Sequence, residues 1–213
     1  MRRVNFFYNN NKIYSIDFEV FKKHSFYFSK ETKEEQINDY INILSEFDFS
    51  SNIPEKSINE FFQYFQTQKI DINNFNVFDI NYLSAKFKVN KLKNKTEEYI
   101  NLHYQEFIEE LISNPKENQK VFNSNLLKYE EILLSHIFEY IKDDRLLNLP
   151  IITLNRIITK YYNERLILKN SDENKGKELL GFLIKYSKEK GKFASILLSN
   201  IKFEDDELIY LID

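Results

Sequence analysis

Ser57-Ile58-Asn59-Glu60-Phe61-Phe62-Gln63-Tyr64-Phe65-Gln66-Thr67-Gln68-Lys69-Ile70-Asp71-Ile72 is the stretch that decides the fold. Ile58, Phe61, Phe62 and Phe65 fall at i, i+3, i+4 and i+7, one apolar face of a helix. Ser57 with Glu60 three residues on has the spacing of a capping box at that helix's start. Ile70-Asp71-Ile72 alternates and is too short for a helix, so a short strand is expected there. Asn76 then opens a second helix, with Asp79 near its N-terminus and Val77, Ile80, Leu83 and Phe87 as its buried stripe. A third helix opens after Asn90 and carries Leu92, Tyr99 and Ile100.

Working outward, Val4–Tyr8 and Lys12–Phe18 predict a hairpin around Asn9-Asn10-Asn11. Tyr14, Ile16 and Phe18 alternate onto one face. Phe6, Phe7 and Tyr8 follow one another, and a strand points neighbours to opposite sides. Phe7 is therefore expected to face a partner or another layer. Val20–Phe28 predicts a helix, with Phe21, His24 and Phe28 on its apolar side. A polar connector, residues 30–36, leads to a third strand over Ile37–Leu44.

From Gln105 onward the pattern is helical. Phe107 and Leu111 continue an apolar face until Asn114-Pro115 breaks it. Leu134, Ile137, Phe138 and Ile141 form one i, i+3, i+4, i+7 set, and Leu154, Ile157, Ile158 and Tyr161 form another. Pro150 suits a first helical turn, where its missing N–H has no partner to lose. Residues 170–177 predict a loop, and Leu179, Phe182, Leu183 and Tyr186 restart a helix. Phe193–Ile201 and Asp205–Ile212 predict two more short helices.

The order and spacing of residues 57–100 resemble the C-terminal half of a BTB/POZ domain. That family runs from a helix ending in Tyr-Thr-Gly, through a short strand and an Asn-Val helix start, to Leu-x-x-Ala-x-x-Leu-x-Val and Leu-x-x-x-Cys-x-x-Tyr-Leu. Thr67, Ile70, Ile72, Asn76, Val77, Ala85, Phe87, Val89, Leu92, Tyr99 and Ile100 stand at the matching places. Gln66 and Gln68 replace the Tyr and Gly, and Thr96 replaces the Cys. Ser25-Phe26-Tyr27-Phe28 is similar to the Ser-x-Tyr-Phe that ends the family's first helix. Ile137 to Leu154, with Leu146, Leu147, Leu149 and Pro150, resembles the signature of a BACK domain, which commonly follows a BTB unit. Related leaders in protists often precede ankyrin repeats, and no Thr-Pro-Leu-His element occurs here.

The resemblance implies an α+β fold: a BTB/POZ-like small sheet covered by helices over residues 1–104, then an all-α BACK-like domain over 105–213. It implies a protein–protein interaction module. The leading form is a substrate adaptor of a cullin-type ubiquitin ligase, or a truncated paralogue of one. The alternative is plain homo-oligomerisation. Tyr64, Thr67, Gln68 and Phe7 are the candidate partner-binding residues, with Tyr64 as the aromatic anchor if its ring lies outside the Phe61–Phe65 stripe.

Composition sets the bounds. Among 213 residues, 30 basic and 33 acidic side chains leave a net charge of −3 without long blocks of one sign. Nucleic-acid binding calls for a basic patch or stripe, which the sequence lacks. Of the 34 aromatic residues, 20 Phe and 14 Tyr, most Phe fall on helix stripes and predict core rather than base-stacking platforms. There is no cysteine, hence no disulfide, thiolate metal site or Cys nucleophile. No apolar run reaches the ~18–20 residues of a membrane span, and no signal peptide is visible. The expected location is cytoplasmic, with the nucleus open.

Three glycines, Gly176, Gly181 and Gly191, form no phosphate-cradling loop. His24, His103 and His136 have no metal-ligand spacing and are expected in packing or surface roles. Adjacent acidic pairs such as Glu97-Glu98 point about 100° apart on a helix and do not converge on one substrate. The expectation is no catalysis, no cofactor, no metal, no nucleic acid and no membrane.

Overall fold

The computed structural model describes residues 3–8, 11–27, 40–42, 53–113, 126–168, 173–191 and 197. The fold is of the α+β class, mostly helical with a small sheet. The chain divides into two compact units, Met1–His103 and Tyr104–Asp213.

In the first unit, β1 (Arg3–Tyr8) pairs antiparallel with β2 (Asn11–Asp17), and parallel with β3 (Tyr40–Asn42). The sheet order is β2-β1-β3. Register runs Val4 opposite Ile16 and Phe6 opposite Tyr14, then shifts between Phe6 and Phe7. Val4, Phe6 and Ile16 are buried on one face. The rest of the predicted third strand lies outside the described residues. Phe18 opens a helix rather than closing β2. Asp17 turns the chain by accepting from Glu19 N at 2.8 Å and Val20 N at 3.4 Å, and α1 (Phe18–His24) follows. Such a cap is a common way to satisfy the free amides of a first turn.

Helix α2 is Glu55–Thr67, α3 is Val77–Lys86 and α4 is Asn90–Leu102. Their apolar faces close over the sheet. Phe6, Phe21, Phe61, Phe62, Phe65 and Phe87 are all buried and stack on one another. Ring centroids lie 4.2 Å apart for Phe6–Phe62, 4.9 Å for Phe21–Phe65 and 5.5 Å for Phe61–Phe87. Each such pair is worth about 0.5–1.5 kcal/mol beyond its buried area.

Two local expectations are corrected here. Ser57 does not cap α2, which starts two residues earlier behind Pro54. Its hydroxyl instead donates to Asp79 Oδ2 at 2.7 Å, joining α2 to α3. Ile70-Asp71-Ile72 is not a strand, because the Asp71 carbonyl accepts from Asn76 Nδ2 at 2.8 Å rather than from a neighbouring strand. Ala85 is exposed, and Ser84 is the fully buried small residue beside Leu83. Thr96 is buried, donates to the carbonyl of Lys93 at 2.7 Å, and accepts from Asn81 Nδ2 at 2.8 Å, tying α4 to α3.

In the second unit every described element is helical. Helix α5 is Tyr104–Ser113, α6 is Leu126–Ser135 and α7 is the short turn Ile137–Tyr140. A 3-10 turn over Asp144–Asn148 follows, then α8 (Ile151–Leu168) and α9 (Glu173–Lys190). Asp143 starts the 3-10 turn by accepting from Arg145 N at 2.9 Å. Leu146, Leu147, Leu149 and Leu154 are buried, and Leu154 N reaches back to Pro150 O at 3.0 Å.

The buried spine before that turn is Leu133, Ile137 and Ile141, with Leu134 and Phe138 half-buried, because the helix breaks at His136. On α8 it is Tyr162, not Tyr161, that completes the buried stripe. The predicted loop 170–177 is corrected in part: residues 173–177 already belong to α9. The two short helices expected after Phe193 lie outside the described residues, apart from buried Leu197.

Candidate functional site

The turn that ends α2 carries most of the candidate partner-binding residues. Gln68 adopts a left-handed conformation, φ 55°, as its C-cap. Glycine adopts that conformation without steric cost, whereas other residues pay for it. Gln68 offsets the strain locally. Its backbone N–H donates to Tyr64 O at 2.8 Å, and its amide Nε2 donates to Tyr64 O and Phe65 O, both at 3.2 Å. Those are the carbonyls a helix end leaves without intrahelical partners. The Thr67 hydroxyl has Gln63 O at 3.1 Å and Lys69 O at 3.0 Å as acceptors for its single proton, and accepts from Lys69 N at 3.2 Å. Thr67 and Gln68 are both exposed.

Tyr64 is placed differently from the expectation. Its side chain is only 1% exposed, and burial pushes its phenol above the ordinary range. The reason is helical geometry. Ser57 and Tyr64 are seven residues apart, two turns, and share the flank of α2 that faces α3 through the Ser57–Asp79 bond. The buried face of α2 is thus wider than the Ile58–Phe65 stripe, and Tyr64 belongs to the core. Phe7 lies elsewhere, half-buried on β1 next to fully buried Phe6. The candidate residues therefore do not form one surface: Thr67 and Gln68 are together and exposed, Tyr64 is beneath them, and Phe7 belongs to the sheet.

The structure adds a residue that the periodicity did not single out. Phe75 is 90% exposed, at the crest of the turn before α3. Its only sequence signal is that it interrupts Asn73-Asn74-x-Asn76, off the stripe of the helix that follows. The turn beneath it is held by side chains. Asn76 is buried, accepts from Asn73 N at 2.9 Å, and donates to Glu60 Oε2 at 2.7 Å and Asp71 O. Asn73 Oδ1 accepts from Phe75 N at 3.1 Å, and Asn74 Oδ1 accepts from Tyr99 Oη at 2.9 Å. Beside the turn lies an open groove of about 500 Å³, lined by Glu60, Gln63, Lys69, Ile70 and Asp71.

The histidines sit in packing arrangements. His24 lies edge-on to Phe65 at 6.5 Å, and burial, then the charges of Lys23 and Lys91, lower its pKa. His103 stacks on Tyr99 at 4.1 Å. His136 stacks on Tyr104 at 3.9 Å, and its Nδ1 lies 2.8 Å from Glu139. Tyr104 Oη donates to the other oxygen of that carboxylate at 3.0 Å. Among the described residues, no group of His, Cys, Asp or Glu could hold a metal ion. No described helix is long and apolar enough to cross a membrane.

A second groove, in the helical unit, has Ile141, Leu147, Gly181 and Phe182 in its lining. Its rim charges are paired, Lys185 with Asp144 at 2.6 Å and Lys142 with Glu178 at 3.6 Å. Arg145 bonds both Asp143, at 2.6 Å, and Glu109, at 2.7 Å, and holds the Asp143 carboxyl below its usual range. The chain matches no protein-family model, and no curated protein matches it significantly.

Proposed function

We propose that this chain is a protein–protein interaction module: a divergent BTB/POZ-type unit followed by a BACK-like helical unit. Its first unit docks a cullin-type ubiquitin-ligase scaffold, so that the chain serves as a substrate adaptor or descends from one. One observation carries the reading. The resemblance puts a docking loop after α2, and there the chain presents Thr67, Gln68 and Phe75 on a backbone braced by side-chain hydrogen bonds. A braced loop loses little conformational freedom on binding, which favours recognition.

The test is capture of a cullin scaffold by the intact protein. Gln68→Arg is a poor probe, because the Gln68 amide caps α2. Gln66→Arg and Lys69→Glu alter exposed side chains instead. Wild type should retain the scaffold and the two variants should lose it with unchanged melting. No capture by the wild type ends the adaptor reading.

Homo-oligomerisation is the second reading. It is favoured by Phe75, a large apolar side chain exposed on the first unit.

A further inference from the structure

We infer that the surface where the end of α1 meets the turn between α3 and α4 docks a short acidic peptide segment of a partner protein, held by Lys23, Lys88, Lys91 and Lys95 with the ring of Phe26 as its apolar contact. The inference goes beyond the adaptor reading and does not depend on capture of a cullin scaffold. Lys23 is far from the other three lysines in sequence, and folding brings them together. Ser25 and Phe26 are tied to the α3–α4 turn: the Ser25 hydroxyl donates to Phe87 O, and Phe26 N donates to Lys88 O at 3.2 Å. Burial lowers the pKa of His24, and the charges of Lys23 and Lys91 both stand close enough to lower it further. Lys95 lies one turn beyond Lys91 on the same face of α4.

The charges of this surface are unanswered. All four lysines are exposed, and none forms an ion pair among the described residues. Their neighbour Lys93 differs, being held by Glu97 at 3.2 Å. In the helical unit Lys128, Lys142, Lys160 and Lys185 each face a carboxylate. Like charges gathered at one place repel, and an anionic partner replaces that repulsion with attraction. Lys88 also takes a left-handed conformation, φ 51°, which glycine adopts without steric cost. What a lysine supplies there is an exposed charge. Phe26, bonded to it through the backbone, is 58% exposed and adds apolar surface among the cations.

The chemistry of the surface selects the partner. Lysine is a point charge on a flexible stem and suits single carboxylates, whereas bidentate phosphate recognition favours arginine. Four lysines and one ring are few for a nucleic-acid groove, which tracks a backbone and stacks successive bases. A single ring is also a shallow hold on a bilayer, where binding scales with the apolar area buried. A short acidic peptide needs carboxylates for the lysines and one apolar side chain against Phe26.

Fluorescence anisotropy of a labelled Glu-Glu-Phe-Glu-Glu peptide, titrated with the full chain, tests this. The wild type should bind it and leave the matching Gln-Gln-Phe-Gln-Gln peptide free. Raising the ionic strength from about 0.05 to about 0.2 M should weaken binding severalfold, because exposed charges are screened. Lys88→Gly removes one charge while relieving the left-handed backbone, and Lys91→Gln removes another. Each should weaken binding about two- to fivefold with no loss of melting temperature. Phe26→Ala should weaken it too, and Phe26→Leu should restore most of it. Lys142→Glu, a charge change in the other unit, should bind as the wild type does. A wild type that leaves the acidic peptide free, or binds both peptides alike, overturns the inference. Equal losses in Lys142→Glu and Lys91→Gln overturn it as well, since they report net charge rather than this surface. Phosphatidylserine vesicles and an oligothymidine strand are the competing probes. Binding of either one that is lost in Lys91→Gln, with the acidic peptide left free, gives the surface to a membrane or to nucleic acid instead.

Discussion

Ser84 and Asp79 sit one and a half turns apart on α3 and carry opposite lessons about buried polarity. Ser84 is fully buried, and its Oγ has no hydrogen-bond partner among the described residues. A buried hydroxyl left unpaired costs about 1–3 kcal/mol of desolvation, and alanine removes it while favouring the helix. Ser84→Ala should therefore raise stability by about 1 kcal/mol, read as a higher urea midpoint with an unchanged slope. A lower midpoint would show that the hydroxyl has a partner. Asp79 is different because its carboxyl is paired, yet desolvation still dominates. Burial raises its pKa, and the bond from Ser57 only partly opposes this. An acid raised in the folded chain binds its proton more tightly there than when unfolded. The stability this gives is full below the unfolded value near 3.8 and is lost as pH rises through the folded value. Asp79→Asn keeps an acceptor for Ser57 and cannot ionise. Relative to wild type, its melting temperature should climb between about pH 3 and pH 7. A difference that stays flat or falls over that range would sink the assignment. Neither residue could be placed from sequence. Leu83, Ser84 and Ala85 follow one another, and only the packed helix decides which small residue points inward. Tyr64 failed for the same reason: it lies one position from Phe65, and the flank it occupies is set by α3.

At the scale of elements, long periodic stripes were legible and boundaries were not. The Phe61, Phe62, Phe65 face, the Val77–Phe87 stripe and the Leu179–Tyr186 restart are all buried as their spacing implies. Helix starts depend on which hydrogen bond a side chain chooses. Ser57 bonds across to α3, and Asn76 bonds backward to Glu60 and Asp71. Each has the residue type of a cap and spends it on a tertiary contact. The Ile70–Ile72 alternation likewise reads as a strand until Asn76 takes the Asp71 carbonyl. The groove and Phe75 were invisible because they arise where these local choices meet. The stripe itself gives a firm expectation. Phe62 touches both layers, 4.2 Å from Phe6 on β1 and 5.2 Å from Phe61 on its own helix, with Tyr14 of β2 stacked at 5.3 Å. Phe62→Ala should cost about 3–5 kcal/mol, since rings on every side limit collapse into the cavity. An unchanged melting temperature would mean that the helix face is wrongly assigned.

At the scale of the molecule, the described sheet, helices and aromatic core of the first unit lie within Met1–His103. Helix α4 is capped by His103, whose backbone N–H closes on Tyr99 O at 3.0 Å while its ring stacks on the same residue. The α-to-β contrast along the chain was readable from period alone, because strands and helices bury side chains at different spacings. Which residue ends the unit was not, since helix α5 begins one residue after α4 is capped. A chain of this size with its own core meets the usual condition for independent folding. A fragment of residues 1–103 should therefore unfold in urea as one cooperative transition, with a slope of about 1–3 kcal/mol per molar. The stacked Phe and Tyr rings should give it a near-ultraviolet circular dichroism signal that vanishes in the same transition. Phe62→Ala in the fragment should move the midpoint down by the same free energy as in the full chain, because every ring Phe62 is seen to stack on lies inside residues 1–103. A sloping, probe-dependent melt with strong binding of a hydrophobic dye would describe a collapsed chain without fixed packing. It would show that the aromatic core needs residues beyond His103 to set.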